Sequence, residues 1–303
     1  MILKIAKRLG IGPALVLALI VGACSGTTTP TQRPLVVVST TIWGDVVSSV
    51  MGNSGTVEVL MPIGADPHDF RPSAKQVALL DDADLVIVNG LGLEEGLADV
   101  IDSLSPARVL TLGPLLDPIA VGDSFDPHVW LDPQRAILAV DLVAERLGEL
   151  DGNGQDWQER ADGYKAELRN AMVQLEELAG QVQPERRVFV TQHDSLRYFA
   201  AAYGYEVVGT LIEGGSTLSQ PSPQHLADIT VLIEKRLVPA IFFDAGGSIS
   251  LATSVAQGAG VSAVVGLYIG SLGGPGSGAE TYIDMMLVNG TRIAAGLAPM
   301  EIR

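Results

Sequence analysis

Short runs of β-branched and aliphatic residues alternate along the chain with longer stretches whose apolar side chains recur every three or four positions. Residues 35–38, 57–60, 85–88 and 109–112 read as strands, and residues 43–51, 74–80 and 133–150 as helices. The last of these carries Ala136, Ile137, Val140, Val143 and Leu147 on one stripe. Residues 157–182 then form a long amphipathic helix, with Tyr164, Leu168, Met172, Leu175 and Leu178 on its apolar side. Its length is enough to span two lobes, although Gly163 weakens its first turns. The strand and helix series restarts at residues 187–190, 196–203, 206–208, 223–235 and 240–243 and closes with a helix over 281–297. Residues 273–278, Gly-Gly-Pro-Gly-Ser-Gly, read as a mobile loop rather than a phosphate loop, because no Gly-Lys-Ser/Thr follows. The pattern predicts an α/β fold with lobes at 35–152 and 185–303 and a connecting helix within 153–184.

The first residues are expected to be an address label. Lys4, Lys7 and Arg8 precede an apolar run from Leu9 to Ala23 that is short for a membrane span, so residues 1–23 read as a signal peptide. The run ends Val21-Gly22-Ala23-Cys24, which resembles a bacterial lipobox and makes Cys24, the sole cysteine, the expected lipidated anchor. Residues 24–34, rich in Ser, Thr and Pro, read as a flexible tether. With one cysteine there is no internal disulfide, and stability rests on the core. Loss of residues 1–23, with three cations and no acid, takes the formal charge from −16 to −19. So acidic a surface repels phosphate backbones, excludes nucleic acid as a partner and concentrates cations near the protein.

Candidate chemistry gathers on histidine, of which the chain holds four. Two sit behind the same tripeptide, Asp66-Pro67-His68 and Asp126-Pro127-His128, where proline stiffens the backbone that projects each imidazole. His193 follows the first strand of the second lobe, and ligands of open α/β sheets collect at such strand ends. His68, His128 and His193 are therefore expected to converge on the cleft between the lobes. Asp66, Asp126 and Asp194 either orient the imidazoles or close Asx turns, and the turn is the expected role. His225, at the start of a helix, is expected to face solvent.

With these residues the chain after Leu35 resembles the zinc- and manganese-binding solute-binding lipoproteins of bacterial ABC importers. The likeness rests on residues 64–73, on 89–94 (Asn-Gly-Leu-Gly-Leu-Glu), on 126–133, on 193–199 with Tyr203-Gly204 downstream, and on 281–286 with Asn289. It implies two Rossmann-like lobes joined by a rigid helix, with the metal in the interlobe cleft. It carries the first three ligands onto His68, His128 and His193, but places the usual fourth, acidic ligand on Gly270, which has no side chain. Asp244, at the end of a strand, is the nearest acidic substitute; the alternative is that it caps the Gly246-Gly247-Ser248 turn and water completes the site. The segment before Asp126 lacks the histidine-rich tract of many zinc-specific members.

The resemblance implies an exported lipoprotein, a monomer without catalytic activity, that captures Zn²⁺ and hands it to a membrane permease, with a metallochaperone as a further partner. Three imidazoles favour zinc over Mn²⁺, which prefers carboxylate oxygens. Metal release is expected to move second-lobe ligands, His193 among them, away from His68 and His128. A manganese importer component and a surface adhesin are alternatives of the same fold. An exported zinc hydrolase is a different class, and the chain lacks His-Glu-x-x-His and any glutamate close to the three histidines.

Overall fold

The computed structural model describes residues 33–298. The signal peptide, Cys24 and all but the end of the tether lie outside the described residues. Four strands, β1 (Leu35–Val38), β2 (Thr56–Val59), β3 (Leu85–Val88) and β4 (Val109–Thr111), pair in parallel in the order β2-β1-β3-β4. Helices α1 (Thr41–Met51), α2 (Ala74–Asp82) and α3 (Ala98–Ser103) connect them. β3 is buried throughout and β1 from Val36 onward because helices cover both faces of the sheet, which explains their unbroken apolar runs. A two-residue hairpin, β5 (Ala120–Val121) with β6 (Ser124–Phe125), leads to α4 (Pro133–Asp151).

The second sheet comprises β7 (Val188–Thr191), β8 (Glu206–Thr210), β9 (Ala240–Asp244) and β10 (Ala263–Leu267), again all parallel, in the order β10-β9-β7-β8. Counted from each lobe's first strand, both sheets run second-first-third-fourth. This shared topology lies beneath a sequence with no fixed-period repeat. Its helices are α6 (Arg197–Tyr203), α7 (Pro223–Arg236), α8 (Ser250–Ala259) and α9 (Tyr282–Leu297).

Between the sheets runs α5 (Gly154–Gly180), continuous through Gly163, where a Cβ would meet nothing. It starts three residues before the expected position. Gly152 in the left-handed region caps α4, and a Cβ on Gly148 would lie 2.8 Å from the Gly154 Cα, so α4 and α5 approach through glycine. One apolar cluster includes Trp43 and Val46 of α1, Val140 of α4, Leu168 and Leu175 of α5, Phe199 of α6 and Met286 of α9, so the lobes share a core through these helices. A side chain at Gly290 on α9 would start 2.6 Å from Leu175 Cδ2 and 3.2 Å from Leu178 Cδ1. Gly290→Leu is accordingly expected to cost about 1–3 kcal/mol by overpacking, read as a lowered urea midpoint; an unchanged midpoint would show that this helix contact yields freely.

Several elements differ from the pattern-based expectation. The α3, α8, β5, β6 and β10 elements were not expected. α8 reads Ser-Leu-Ala-Thr-Ser-Val-Ala-Gln-Gly-Ala, poor in strong helix formers, and Gly266 interrupts β10, so tertiary packing decides both. The 273–278 segment is a hydrogen-bonded turn rather than a loose loop: Gly273 N–H reaches the Ala279 carbonyl at 2.8 Å, and Ser277 N–H reaches Gly274 at 3.0 Å.

Candidate metal centre

Three loops at the carboxyl ends of the sheets bring three imidazoles together. The first leaves β2, turns at Gly64 (φ 81°) and presents His68, whose backbone N–H is accepted by Asp66 Oδ1 at 3.0 Å in an Asx turn. The second repeats that turn, with His128 N–H to Asp126 Oδ1 at 2.9 Å, and the same oxygen also accepts His128 Nδ1–H at 2.7 Å. Asp126 thus plays both roles considered for it, and by fixing the proton on Nδ1 it leaves the Nε2 lone pair free. The third loop follows β7, where the Thr191 hydroxyl donates to the His193 carbonyl at 2.7 Å. Asp194 does not close a turn on His193. Its Oδ2 takes the Arg197 guanidinium at 2.6 Å instead.

His128 Nε2 lies 3.5 Å from His68 Nε2 and 3.2 Å from His193 Nε2. Four ligands held tetrahedrally at about 2.0–2.1 Å leave neighbouring donors about 3.3–3.4 Å apart, so this spacing matches that of nitrogens around one small cation. All three rings are buried, at 4%, 1% and 2% exposure for His68, His128 and His193. Burial first, then repulsion from His128, pushes the His68 imidazole down to about 4. Burial first, then His128 and His68, pushes His193 well below its ordinary value. Lowered values keep both bases neutral, the form that coordinates, and protons compete with a metal only as the pH falls far below 6.5. Zinc affinity is therefore expected to drop less than about fivefold between pH 7.5 and pH 6, whereas three imidazoles at the ordinary value would lose about fiftyfold. Competition titrations at the two pH values check this, and a drop near fiftyfold would contradict it.

Among the described residues, the His, Cys, Asp and Glu donors that gather within 4.8 Å of one another are those of His68, His128 and His193. The structure does not bring Asp244 into that group. Its Oδ1 accepts the Gly246 N–H at 3.0 Å and its Oδ2 the Gly270 N–H at 3.1 Å. Burial pushes its carboxyl above the usual range, against these amide bonds. A Cβ on Gly270 would start 2.8 Å from Pro67 Cδ and 3.3 Å from Asp244 Oδ2, so residue 270 has no room for a side chain beside the His68 loop. The Asp244 carboxylate stands next to the place such a side chain would occupy.

His225 is not turned to solvent as expected. Its Nε2 pairs with the Thr210 carbonyl at 2.8 Å, tying α7 to the end of β8. Sequence reasoning also missed the support behind His128. The Asn89 amide donates to the Pro127 carbonyl at 3.0 Å while its oxygen accepts the Trp43 indole N–H at 2.9 Å. Buried Glu94 accepts the Asn89 and Gly90 N–H groups and the Ser39 hydroxyl at 2.7, 2.9 and 2.7 Å. The 89–94 segment was legible as a motif, and two polar residues at a buried strand end were the available signal.

Comparison with known proteins finds metal-binding relatives. The family model described as "Zinc-uptake complex component A periplasmic" matches residues 36–296. The manganese-binding lipoprotein MntA of Halalkalibacterium halodurans is 31% identical over 291 residues, covering 94% of this chain and 96% of that protein. The zinc-binding protein TroA of Treponema pallidum is 31% identical over 277 residues, 88% of this chain and 89% of that protein. The solved structure of periplasmic TroA superposes with a TM-score of 0.83 at 30% identity, covering 88% of this chain and 100% of that one.

Proposed function

The chain belongs to the family of the periplasmic component A of zinc-uptake complexes, and from that membership we propose that it captures Zn²⁺ outside the cytoplasm through His68, His128 and His193. The family is one of solute-binding proteins that work with ABC permeases and perform no reaction themselves. The observation that carries the zinc reading is the meeting of three buried imidazoles, with His128 Nε2 at tetrahedral donor spacing from the Nε2 atoms of His68 and His193. Manganese is the alternative cargo, as in the name of the MntA relative. A donor set of imidazoles without a clustered carboxylate favours the softer ion.

In this reading Asp244 is the fourth donor, exchanging the Gly270 amide for the metal when it arrives. Residues 1–23 direct export, Cys24 carries the lipid and residues 24–34 tether the body at the cell surface or in the periplasm; among the described residues no helix is long and apolar enough to cross a membrane. The lobes are 35–152 and 185–303, flanking the connecting helix, and the protein acts as a monomer that also accepts metal from a metallochaperone.

The test is titration of metal-stripped protein with Zn²⁺ and with Mn²⁺, for wild type, His193→Ala and Asp244→Ala. One zinc per chain, bound more tightly than manganese and lost with His193→Ala, is expected. Asp244→Ala is expected to weaken zinc about tenfold. No change there would assign the fourth position to water, and a preference for manganese would overturn the cargo.

A further inference from the structure

His128 and His193 belong to different lobes, yet the segment that carries His128 is pinned to second-lobe elements by buried hydrogen bonds. Tyr198 on α6 lies five residues after His193. Its hydroxyl donates to the Asp126 carbonyl at 2.7 Å and accepts the Ile119 N–H at 2.9 Å. The Trp130 indole N–H donates to the Ile269 carbonyl at 2.8 Å, and the Tyr282 hydroxyl on α9 donates to the Trp130 carbonyl at 2.7 Å. Tyr198, Trp130 and Tyr282 are all at most 1% exposed. The loop that carries His68 is held to the second lobe by one half-buried and one exposed hydrogen bond: Gly64 N–H to the Oγ of buried Ser271 at 2.8 Å, and the Thr217 hydroxyl to Asp66 Oδ2. The His128 ring is tied through Nδ1 to Asp126, whereas neither His68 Nδ1 nor His193 Nδ1 has a hydrogen-bond partner, so the difference between His68 and His193 lies in the loops that carry them.

We propose that Tyr198 is a positioning residue that welds the His128 loop to the helix following His193, so that these two ligands persist as a preformed half-site and His68 is the ligand that opens and closes it. This rests on the three-histidine reading above, and it replaces the expectation that His193 moves away from His128 on release. Removing His68 then leaves a weak two-imidazole site, whereas removing the weld separates the remaining pair.

Tyr198→Phe keeps the ring, over which the Arg135 guanidinium sits at 4.8 Å, and deletes both hydrogen bonds of the hydroxyl. Zn²⁺ affinity of the folded protein is expected to fall about tenfold, since removing a group that orients a ligand costs about 10–100-fold in affinity, alongside a lowered urea midpoint from the two stranded backbone groups. Co²⁺, whose visible absorption reports ligand geometry, is the second probe. His68→Ala is expected to retain weak, fast-exchanging Co²⁺ with its visible band, and His68→Ala combined with Tyr198→Phe to lose that band. Wild-type zinc affinity in Tyr198→Phe, together with an unchanged Co²⁺ band in the double variant, would overturn the proposal. If Tyr198→Phe fails to fold, Trp130→Phe deletes another bond of the same set and is read the same way. Undiminished zinc binding by His193→Ala would instead sink the three-histidine reading, so the two failures are distinguishable.

Discussion

Replacing His128 with alanine is expected to lower zinc affinity by about 10²–10³-fold while leaving the fold intact. Four-ligand zinc sites are worth about 10–16 kcal/mol in total, so one ligand accounts for about 3–4 kcal/mol, and each 1.4 kcal/mol is tenfold in affinity. His128 is the choice because its Nε2 neighbours both other donors, at 3.5 and 3.2 Å, and because Asp126 already fixes its tautomer and ring direction. The fold should survive, since the metal-free site crowds three buried imidazoles together and deleting one relieves that crowding. Asp126→Asn is the graded companion. It keeps the size of the side chain but weakens the hold on Nδ1, with an expected loss of about 10–100-fold. Competition against a chelator of known affinity measures both. A His128→Ala protein that binds zinc within threefold of wild type would contradict the site.

Glu94→Ala is expected to destabilise the protein by about 3–5 kcal/mol, the largest stability effect of any single change considered. Glu94 is 5% exposed, and its carboxylate receives the Ser39 hydroxyl and the Asn89 and Gly90 amides. Truncation strands three buried donors at about 1–3 kcal/mol each, reduced where water enters. The loss should also reach the metal centre, because Asn89 is the residue that holds the Pro127 carbonyl from behind. Urea unfolding with and without zinc measures both effects, and a shift below about 1 kcal/mol would mean that water replaces the carboxylate freely.

The sequence revealed the site more fully than the fold around it. Two Asp-Pro-His tripeptides in a chain of four histidines mark a rigid, repeated device, and His193 at the end of a buried strand supplies a third imaginable donor from local pattern alone. The strands with continuous aliphatic runs were legible for the same reason, since burial on both faces leaves no polar interruption. What stayed hidden depends on partners distant in the chain. Nothing local to Asp244 shows that the Gly246 and Gly270 amides hold both its oxygens, bonds it must exchange to reach a metal. Gly270 looks like a lost ligand until Pro67 is seen pressed against it. Tyr198 carries no local signal of its role, because the groups it joins lie 72 and 79 positions away.

The most direct measurement is a crystal structure of the zinc-loaded protein with anomalous scattering recorded at the zinc edge. One peak about 2.0–2.1 Å from the Nε2 atoms of His68, His128 and His193 is the predicted result. A peak held by carboxylates away from these histidines, or no peak in protein saturated with zinc, would contradict it.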